Sequence, residues 1–273
     1  MRSKIFILLA IAPLAAFPLE AQAAITLGTA GNFAVLAGST VTNTGNTVIN
    51  GGNVGVSPGS AITGFTQESG PGIITPPYTV DNAAAAQAQN DLTTAYDAAA
   101  ALTPTQSLTG QDLGGLTLTP GVYFFSSSAA LTGTLTLNDQ GNSAAQFVFQ
   151  IDSTLTTATS SSVVTINAGS ATPGCNIFWQ VGSSATLGTT TAFEGHILAY
   201  TSVTMDTGAT ITDGSALARN GAVTLDTNTI NNCAASISSI AVPQPATLPL
   251  VFFGTLLLGL PAMVISSRKR RLC

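Results

Sequence analysis

Short runs of alternating apolar and polar residues, separated by Gly, Asn and Ser, fill most of this chain. They extend from Ile25 to Phe65 and again from Leu116 to Ile230. Alternation with a period of two is typical of β-strands that bury one face, and runs of three to five residues predict short strands joined by tight turns. The pattern therefore predicts a mainly β protein.

The strand segments recur in groups of three. Ile177–Val181, Ala185–Leu187 and Ala192–Phe193 form one group, and Ile197 and Leu217 take the place of Ile177 at steps of 20 residues. Three short strands per period of this length are typical of a three-sided β-solenoid, whose stacked coils share one inner core. A β-sandwich, the alternative, would have longer strands and no such stacking.

Residues 81–102 break the strand pattern. They are dominated by alanine, the residue with the highest helix propensity, with Asp81 at the start and Pro104 beyond the end. The apolar stripe of this segment consists of Leu92, Tyr96 and Ala99. Because these positions share one side of a helix, the stripe favours a long helix packed alongside the body over a disordered linker.

Residues 57–80 are rich in Gly and Pro and have no clear period, which predicts an inserted loop or cap. This cap and the helix separate the first strand segments from the later ones. The first coils therefore need not stack on the others in the order of the sequence.

The first 23 residues have the pattern of a secretory signal peptide. Arg2 and Lys4 precede an apolar run from Ile5 to Leu14, and Ala21-Gln22-Ala23 provides small residues at a cleavage site. The alternative is a buried N-terminal helix. Cleavage would place the start of the mature protein near Ala24 and the body outside the cytoplasm.

The C-terminal residues 241–273 form a second separate segment. Leu248–Ile265 carries no charge and is long enough to span a bilayer, Arg268–Arg271 follows it, and Val242–Pro245 precedes it. This tail resembles the PEP-CTERM sorting signal of Gram-negative bacteria, with Gln244 in place of the usual Glu. The resemblance implies processing by an exosortase-type enzyme and delivery to the cell surface or the extracellular matrix. A plain C-terminal membrane anchor is the alternative.

The body between these ends is strongly acidic. Residues 24–240 contain Arg219 as the single Lys or Arg, against eleven Asp and Glu residues, a formal charge of −10. Binding to nucleic acids or to anionic lipid surfaces requires clusters of Lys and Arg. The composition excludes both, so membrane contact is expected only through the C-terminal tail.

The sequence predicts no enzyme activity and no cofactor. His196 is the only histidine, and Glu194 lies two residues before it, a pairing more typical of a surface contact than of a catalytic dyad. The His-Glu-x-x-His pattern of metalloproteases is missing from the sequence.

Cys175 and Cys233 are the only cysteines of the body. An oxidising exterior allows two such residues to form a disulfide, provided that their Cα atoms approach within about 7 Å. The sequence leaves this pairing open.

Several motifs resemble the bacterial and fungal ice-binding proteins. They are Leu27–Gly38, Leu118–Tyr123, Phe178–Ala185 and Leu217–Leu225. The resemblance covers nearly the whole body, residues 24–240. It implies a right-handed, three-sided, discontinuous β-helix, a long α-helix beside one face, and a cap inserted after the first coils. It also implies that the first and last parts of the chain stack together, and that an ice crystal surface is the partner.

Members of this family that bind ice use one flat face, often marked by Thr-Ala/Gly-x-Thr/Asn. Thr44–Thr47 and Thr207–Thr210 match this motif, while Thr157–Ser160 and Thr191–Glu194 depart from it at the fourth place. The candidate ice-binding residues are Thr44, Thr47, Thr157, Thr159, Thr189, Thr191, Thr207, Thr210 and Thr229.

Strand parity refines this choice. Thr47, Thr210 and Thr229 point outward if the next residues, Val48, Ile211 and Ile230, face the core. Coils stack about 4.8 Å apart, so one Thr per coil would form a regular ladder. The simpler interpretation is that Thr is only a good strand residue whose hydroxyls pair between coils.

Two functions are therefore compatible with the sequence. The first is a secreted or surface-held ice-binding protein, acting as a monomer, that limits the growth or recrystallisation of ice. The second is a non-catalytic adhesin of the cell surface or biofilm matrix on the same fold, which the sorting-type tail favours.

Overall fold

The computed structural model describes residues 24–66, 70–75 and 82–233. The predicted signal peptide, residues 1–23, and the predicted tail, residues 241–273, lie outside these ranges. Within them, no helix combines the length and the apolar character needed to span a membrane.

The described residues form a mainly β structure with one α-helix, α1, Asn82–Ala100. The strands are β1 Phe33–Ala37, β2 Thr40–Thr44, β3 Val48–Asn50, β4 Asn53–Val56, β5 Ala61–Thr63, β6 Ile73–Ile74, β7 Gln106–Ser107, β8 Thr117–Leu118, β9 Gly121–Phe125, β10 Ala129–Leu131, β11 Thr134–Asn138, β12 Phe147–Ile151, β13 Leu155–Thr157, β14 Ser162–Ile166, β15 Ile177–Val181, β16 Ala185–Leu187, β17 Ala192–Ala199, β18 Val203–Met205, β19 Thr210–Ala218, β20 Val223–Asp226 and β21 Thr229–Asn231. Short 3-10 helices occur at Gly28–Asn32 and Pro173–Asn176.

The strands stack in three faces, and every strand pair is parallel. The helix face contains β7, β9, β12, β15, the second halves of β17 and β19, β1 and β4. The threonine face contains β10, β13, β16, β18, β20, β2 and β5, in that order. The third face contains β8, β11, β14, the first halves of β17 and β19, β21, β3 and β6. The predicted three-sided β-helix with a long helix alongside is thus confirmed.

The first coil of the chain lies inside the stack. Its strands β1, β2 and β3 pair with β19, β20 and β21 on one side. On the other side they pair with β4, β5 and β6. Helix α1, whose 19 residues extend about 28 Å, then runs along the helix face, and β7 after it pairs with β9 at the opposite end.

The segment predicted as a cap differs from the expectation. Within residues 57–80, β5 and β6 form short strands that complete the second coil. Ile62 and Ile74 supply the buried apolar residues of these strands. One buried apolar residue per strand, among Gly and Pro, gives no visible period, so the coil is not apparent from the sequence.

The core has two layers. Inside the coils, aromatic side chains stack along the axis of the solenoid, and the ring centroids of Phe149 and Trp179 lie 3.8 Å apart. Between the helix face and α1, small residues such as Ala88 and Ala95 pack with Leu92 and Tyr96 against Val148 and Leu198. The predicted stripe of α1 is therefore the one that is buried, and α1 covers this face of the solenoid.

Candidate functional site

The threonine face carries one row of aligned side chains, which we call the threonine ladder. Starting from Ala130 at one end, its rungs are Thr156, Thr186, Thr204, Thr224, Thr42 and Thr63. Each residue is the direct register partner of the next, so the ladder crosses all seven strands of this sheet. At about 4.8 Å per strand its length is about 29 Å.

Buried neighbours fix the direction of each rung. Thr204 lies between Val203 and Met205, and Thr224 lies between Val223 and Leu225. These four apolar neighbours are at most 1% exposed, whereas Thr204 is half-buried and Thr224 exposed. Since successive strand residues point to opposite faces, inward neighbours force the threonine outward.

A second outward row runs beside the ladder on the same sheet. Its members are Ser128, Thr154, Ser184, Ser202, Ala222, Thr40 and Ala61. The Thr154 hydroxyl donates to Ser128 Oγ at 2.8 Å, which ties two coils together on the outer surface. Both rows consist of Ala, Ser and Thr, so no side chain larger than threonine projects from this part of the sheet.

The ladder combines regular spacing with stiffness. Each β-branched threonine has few side-chain rotamers, and each backbone position is held by parallel strands on both sides, except at the ends. The rows carry methyl groups and hydroxyls at one repeat and contain no titratable group. Such a surface can hold water molecules in a periodic arrangement, and its charge does not change with pH.

Four of the predicted threonines lie in an exposed row at the corner between the threonine face and the third face. Thr159, Thr189 and Thr207 occupy successive coils, and Thr44 lies two coils beyond Thr207. Backbone hydrogen bonds link the row, such as that from Thr190 N to the Thr207 carbonyl at 3.0 Å. Asp226 shares this row and accepts a hydrogen bond from the Thr207 hydroxyl. The corner row therefore carries a negative charge, whereas the threonine ladder contains no charged side chain.

Thr210 and Thr229 are neighbours on the third face. They are direct register partners on β19 and β21, and both are half-buried. Their row continues to Val48 and then to Ile73, which is 49% exposed. The mixture of large apolar and small polar side chains makes this face less even than the threonine face.

The other three predicted threonines are buried, so their assignment to an exposed face is wrong. Thr47 and Thr191 are 0% exposed and Thr157 is 3% exposed. The Thr47 hydroxyl accepts a hydrogen bond from Asn228 N at 3.0 Å, and the hydroxyls of Thr157 and Thr191 lie 2.7 Å apart. These side chains stabilise the corner from inside the coil.

The parity argument for Thr47 failed because β3 has two adjacent apolar residues. Ile49 faces the core at 0% exposure, while Val48 is the register partner of Thr229 and takes the outward place. Thr47, Thr210 and Thr229 therefore do not share one flat face.

None of the ladder threonines was among the nine sequence candidates. A signal for them exists, because the second strand of three successive coils repeats the pattern apolar-Thr-apolar, in Ala185–Leu187, Val203–Met205 and Val223–Leu225. The four-residue motif instead directs attention to the turn after that strand, which forms the corner.

The pair Glu194 and His196 is split by a register shift at Gly195. The Glu194 carboxylate accepts a hydrogen bond from the Thr165 hydroxyl at 2.9 Å, while His196 Nδ1 pairs with Ser215 Oγ at 2.8 Å. Burial raises the pKa of Glu194 to about 7 and lowers the pKa of His196 to about 4. The two side chains thus occupy separate environments and do not act as a dyad.

The two body cysteines meet at one end of β21. Cys175 and Cys233 form a disulfide with a Cα–Cα distance of 5.8 Å. The two cysteines are 58 residues apart in the sequence. The disulfide attaches the 3-10 helix Pro173–Asn176 to the residue that follows the last coil. Among the described residues, no group of His, Cys, Asp and Glu has the arrangement of a metal site.

Comparison with known proteins identifies relatives across the whole body. The family model described as Ice-binding-like matches residues 35–231. An ice-binding protein of Nostoc sp. (strain HG1) is 52% identical over 271 residues, covering 98% of this chain and 96% of the relative. An ice-binding protein of Colwellia sp. is 37% identical over 225 residues, covering 76% and 83% of the two chains.

Solved structures have the same architecture. The crystal structure of an ice-binding protein from an Antarctic biological consortium superposes with a TM-score of 0.70 at 46% identity, covering 81% of this chain and 96% of that one. The ice-binding protein of the Antarctic ascomycete Antarctomyces psychrotrophicus also gives a TM-score of 0.70, at 42% identity, with 77% and 98% coverage. By its sequence and by its fold, this chain belongs to the ice-binding-like family.

Proposed function

We propose that this protein binds ice crystals through the threonine face and thereby limits the growth or recrystallisation of ice. The observation that carries the proposal is the threonine ladder, in which six of seven successive rungs are threonine at one fixed register. The relatives from Nostoc and Colwellia, named ice-binding proteins, support the same function.

The physical basis is the repetition of a weak contact. Each threonine buries little surface, so affinity depends on many rungs meeting the crystal at once. Water ordered along a rigid row of methyl and hydroxyl groups can join an ice plane without a large further loss of entropy. The requirement is a flat and stiff surface, which the small side chains and parallel strands of this face provide.

Other features of the proposal rest on the sequence. We infer a secreted, non-enzymatic monomer with a right-handed coil, a cleaved signal peptide at residues 1–23, and a surface location reached through the PEP-CTERM-like tail and an exosortase-type enzyme. The comparisons give no support to the alternative of a matrix adhesin.

The test is partition into growing ice. Thr204, at the centre of the ladder, is replaced with Tyr, and Thr210 on the third face is replaced with Tyr as the matched control, since both threonines are half-buried strand residues that face outward. We expect Thr204→Tyr to remain in the liquid and to lose thermal hysteresis, and Thr210→Tyr to enter ice as the wild type does, with circular dichroism unchanged in both. The reverse outcome would place the site on the third face.

A further inference from the structure

The disulfide borders a cavity that the ice-binding proposal does not use. The cavity has a volume of about 270 Å³ and includes Ile25, Leu27, Phe178, His196, Cys175 and Cys233 among its lining residues. Both cysteines are partly exposed, whereas His196 is only 3% exposed. A small molecule in this cavity would therefore contact the disulfide and be close to the imidazole.

The histidine is placed to stabilise a negative charge on one sulfur. Its Nε2 lies 3.4 Å from Cys233 Sγ, and its Nδ1 lies 2.8 Å from Ser215 Oγ. A disulfide sulfur carries no hydrogen, so the proton of the Nε2–Sγ contact belongs to Nε2, and Nδ1 accepts from the Ser215 hydroxyl. The neutral imidazole therefore donates towards Cys233, and a thiolate at that sulfur would receive a charge-assisted hydrogen bond.

The opposite cysteine has acidic neighbours. Gly174, next to Cys175, packs so closely against β17 and β19 that a Cβ on it would lie 2.8 Å from Glu194 Cγ and 2.7 Å from Asp213 Cβ. On the cavity wall, a Cβ on Gly28 would lie 2.7 Å from a carboxylate oxygen of Asp91. At the alkaline pH at which small thiols ionise, the ionised carboxyl groups of Glu194 and Asp213 disfavour a thiolate on Cys175, and the Asp91 carboxylate favours small cationic thiols over anionic ones near the cavity.

We propose that the Cys175–Cys233 disulfide is a site of directed thiol–disulfide exchange with small aminothiols. The thiolate of the aminothiol attacks Cys175 Sγ and forms a mixed disulfide there. The bond between the two cysteines breaks, and its electron pair goes to Cys233 Sγ, which the His196 Nε2–H stabilises until it takes a proton from solvent. The aminothiol is the reductant, and the chain keeps it as an adduct on Cys175.

The first experiment maps the adduct on the native chain. The oxidised protein is treated with excess cysteamine, free thiols are blocked with iodoacetamide, and peptides are examined by mass spectrometry. We expect cysteamine on Cys175 and the alkyl group on Cys233. Cysteamine on Cys233, or equal amounts on both, would overturn the proposed direction.

Rates with different thiols test the role of the cavity. Cysteamine is expected to react faster than 2-mercaptoethanol, and 2-mercaptoethanol faster than the anionic 2-mercaptoethanesulfonate, after each rate is divided by that of the same thiol with the urea-unfolded protein. The unfolded chain has the same disulfide without its surroundings. A ratio that is the same for the three thiols would show that the cavity selects nothing.

Single cysteine variants test the histidine. Cys175→Ser leaves Cys233 beside His196, and Cys233→Ser is the matched control that leaves Cys175. We expect Cys233 to reach half its maximal alkylation rate at a lower pH than Cys175, and His196→Asn in the first variant to remove the difference. The same pH midpoint for both cysteines in folded variants would contradict the proposal. If the variants fail to fold, the adduct map on the native chain decides alone.

Discussion

Thr186 and Thr204 are direct register partners on β16 and β18, and both face solvent at the centre of the threonine face. Their neighbours along each strand are buried. Neither threonine can therefore point inward unless the strand turns over and exposes these apolar neighbours. The same pairing repeats from Thr63 to Thr156, so the coils present one regular surface although their loops differ.

The two central rungs allow the methyl and hydroxyl groups to be tested separately. The double variant with Val at positions 186 and 204 keeps the β-branched shape, and the double variant with Ser keeps the hydroxyls but loses the stiff rotamer. We expect the Val variant to retain most of the thermal hysteresis and the Ser variant to lose most of it, because the regularity of the surface depends on shape. The opposite order would assign the activity to the hydroxyl row.

The buried threonines should affect stability but not ice binding. Thr191→Val keeps the volume but removes the hydroxyl that pairs with Thr157 Oγ1 at 2.7 Å. We expect the free energy of unfolding to fall by about 1 kcal/mol, the usual value of a buried hydrogen bond. Urea unfolding measures this change, and Thr210→Val on the surface is the control. Loss of ice affinity with unchanged stability would return Thr191 to the site.

Glu194 predicts a pH dependence of stability. Burial raises its pKa to about 7 from 4.5, so between these values the unfolded chain has released the proton that the folded chain still holds. The free energy of unfolding is therefore greatest below the pKa of Glu194 in the unfolded chain. It falls as the pH rises towards 7, by up to about 3 kcal/mol. Burial also raises the pKa values of Asp139 and Asp213, which adds to the same trend.

Urea unfolding between pH 4 and pH 8 measures this effect. Glu194→Gln should reduce the slope and stabilise the protein at pH 8, since the amide oxygen can still accept from Thr165. The exposed Asp152→Asn is the control for a change of charge alone. An unchanged slope in Glu194→Gln would show that Glu194 ionises normally in the folded state.

Gln150 closes the C-terminal end of α1. Its Nε2 donates to the carbonyls of Ala99 and Leu102, both at 2.8 Å, and it is 4% exposed. Gln150→Ala leaves these buried carbonyls without their donor, and we expect a loss of about 1–3 kcal/mol. Hydrogen exchange should show faster opening of the last turn of α1, while the exposed Gln111→Ala should leave the exchange as in the wild type.

The solenoid could be predicted because it is encoded by repetition. The 20-residue step from Ile177 to Ile197 and the alanine-rich helix are both visible without any tertiary information. Strands β5 and β6 were missed because each contributes only one buried apolar residue, and such a strand becomes stable only against a neighbouring coil.

The site was harder to predict than the fold because an outward position depends on register. In Thr47-Val48-Ile49 the local sequence allows either apolar residue to face the core, and only the pairing of Val48 with Thr229 decides. A motif match adds no register information, so it favoured the corner and selected Thr47, Thr157 and Thr191 from the interior. Aligning the second strand of every coil would have found the ladder.

The position of the first coil between the second and the last has a consequence for biosynthesis. Strands β1–β3 leave the ribosome early, yet the strands that cover one of their edges follow only from Thr210 onward, about 160 residues later. At translation rates of about 5–20 residues per second, that edge stays open for roughly 10–30 s. Open strand edges favour pairing with other chains, so the nascent protein depends on β19, β20 and β21 to protect β1, β2 and β3.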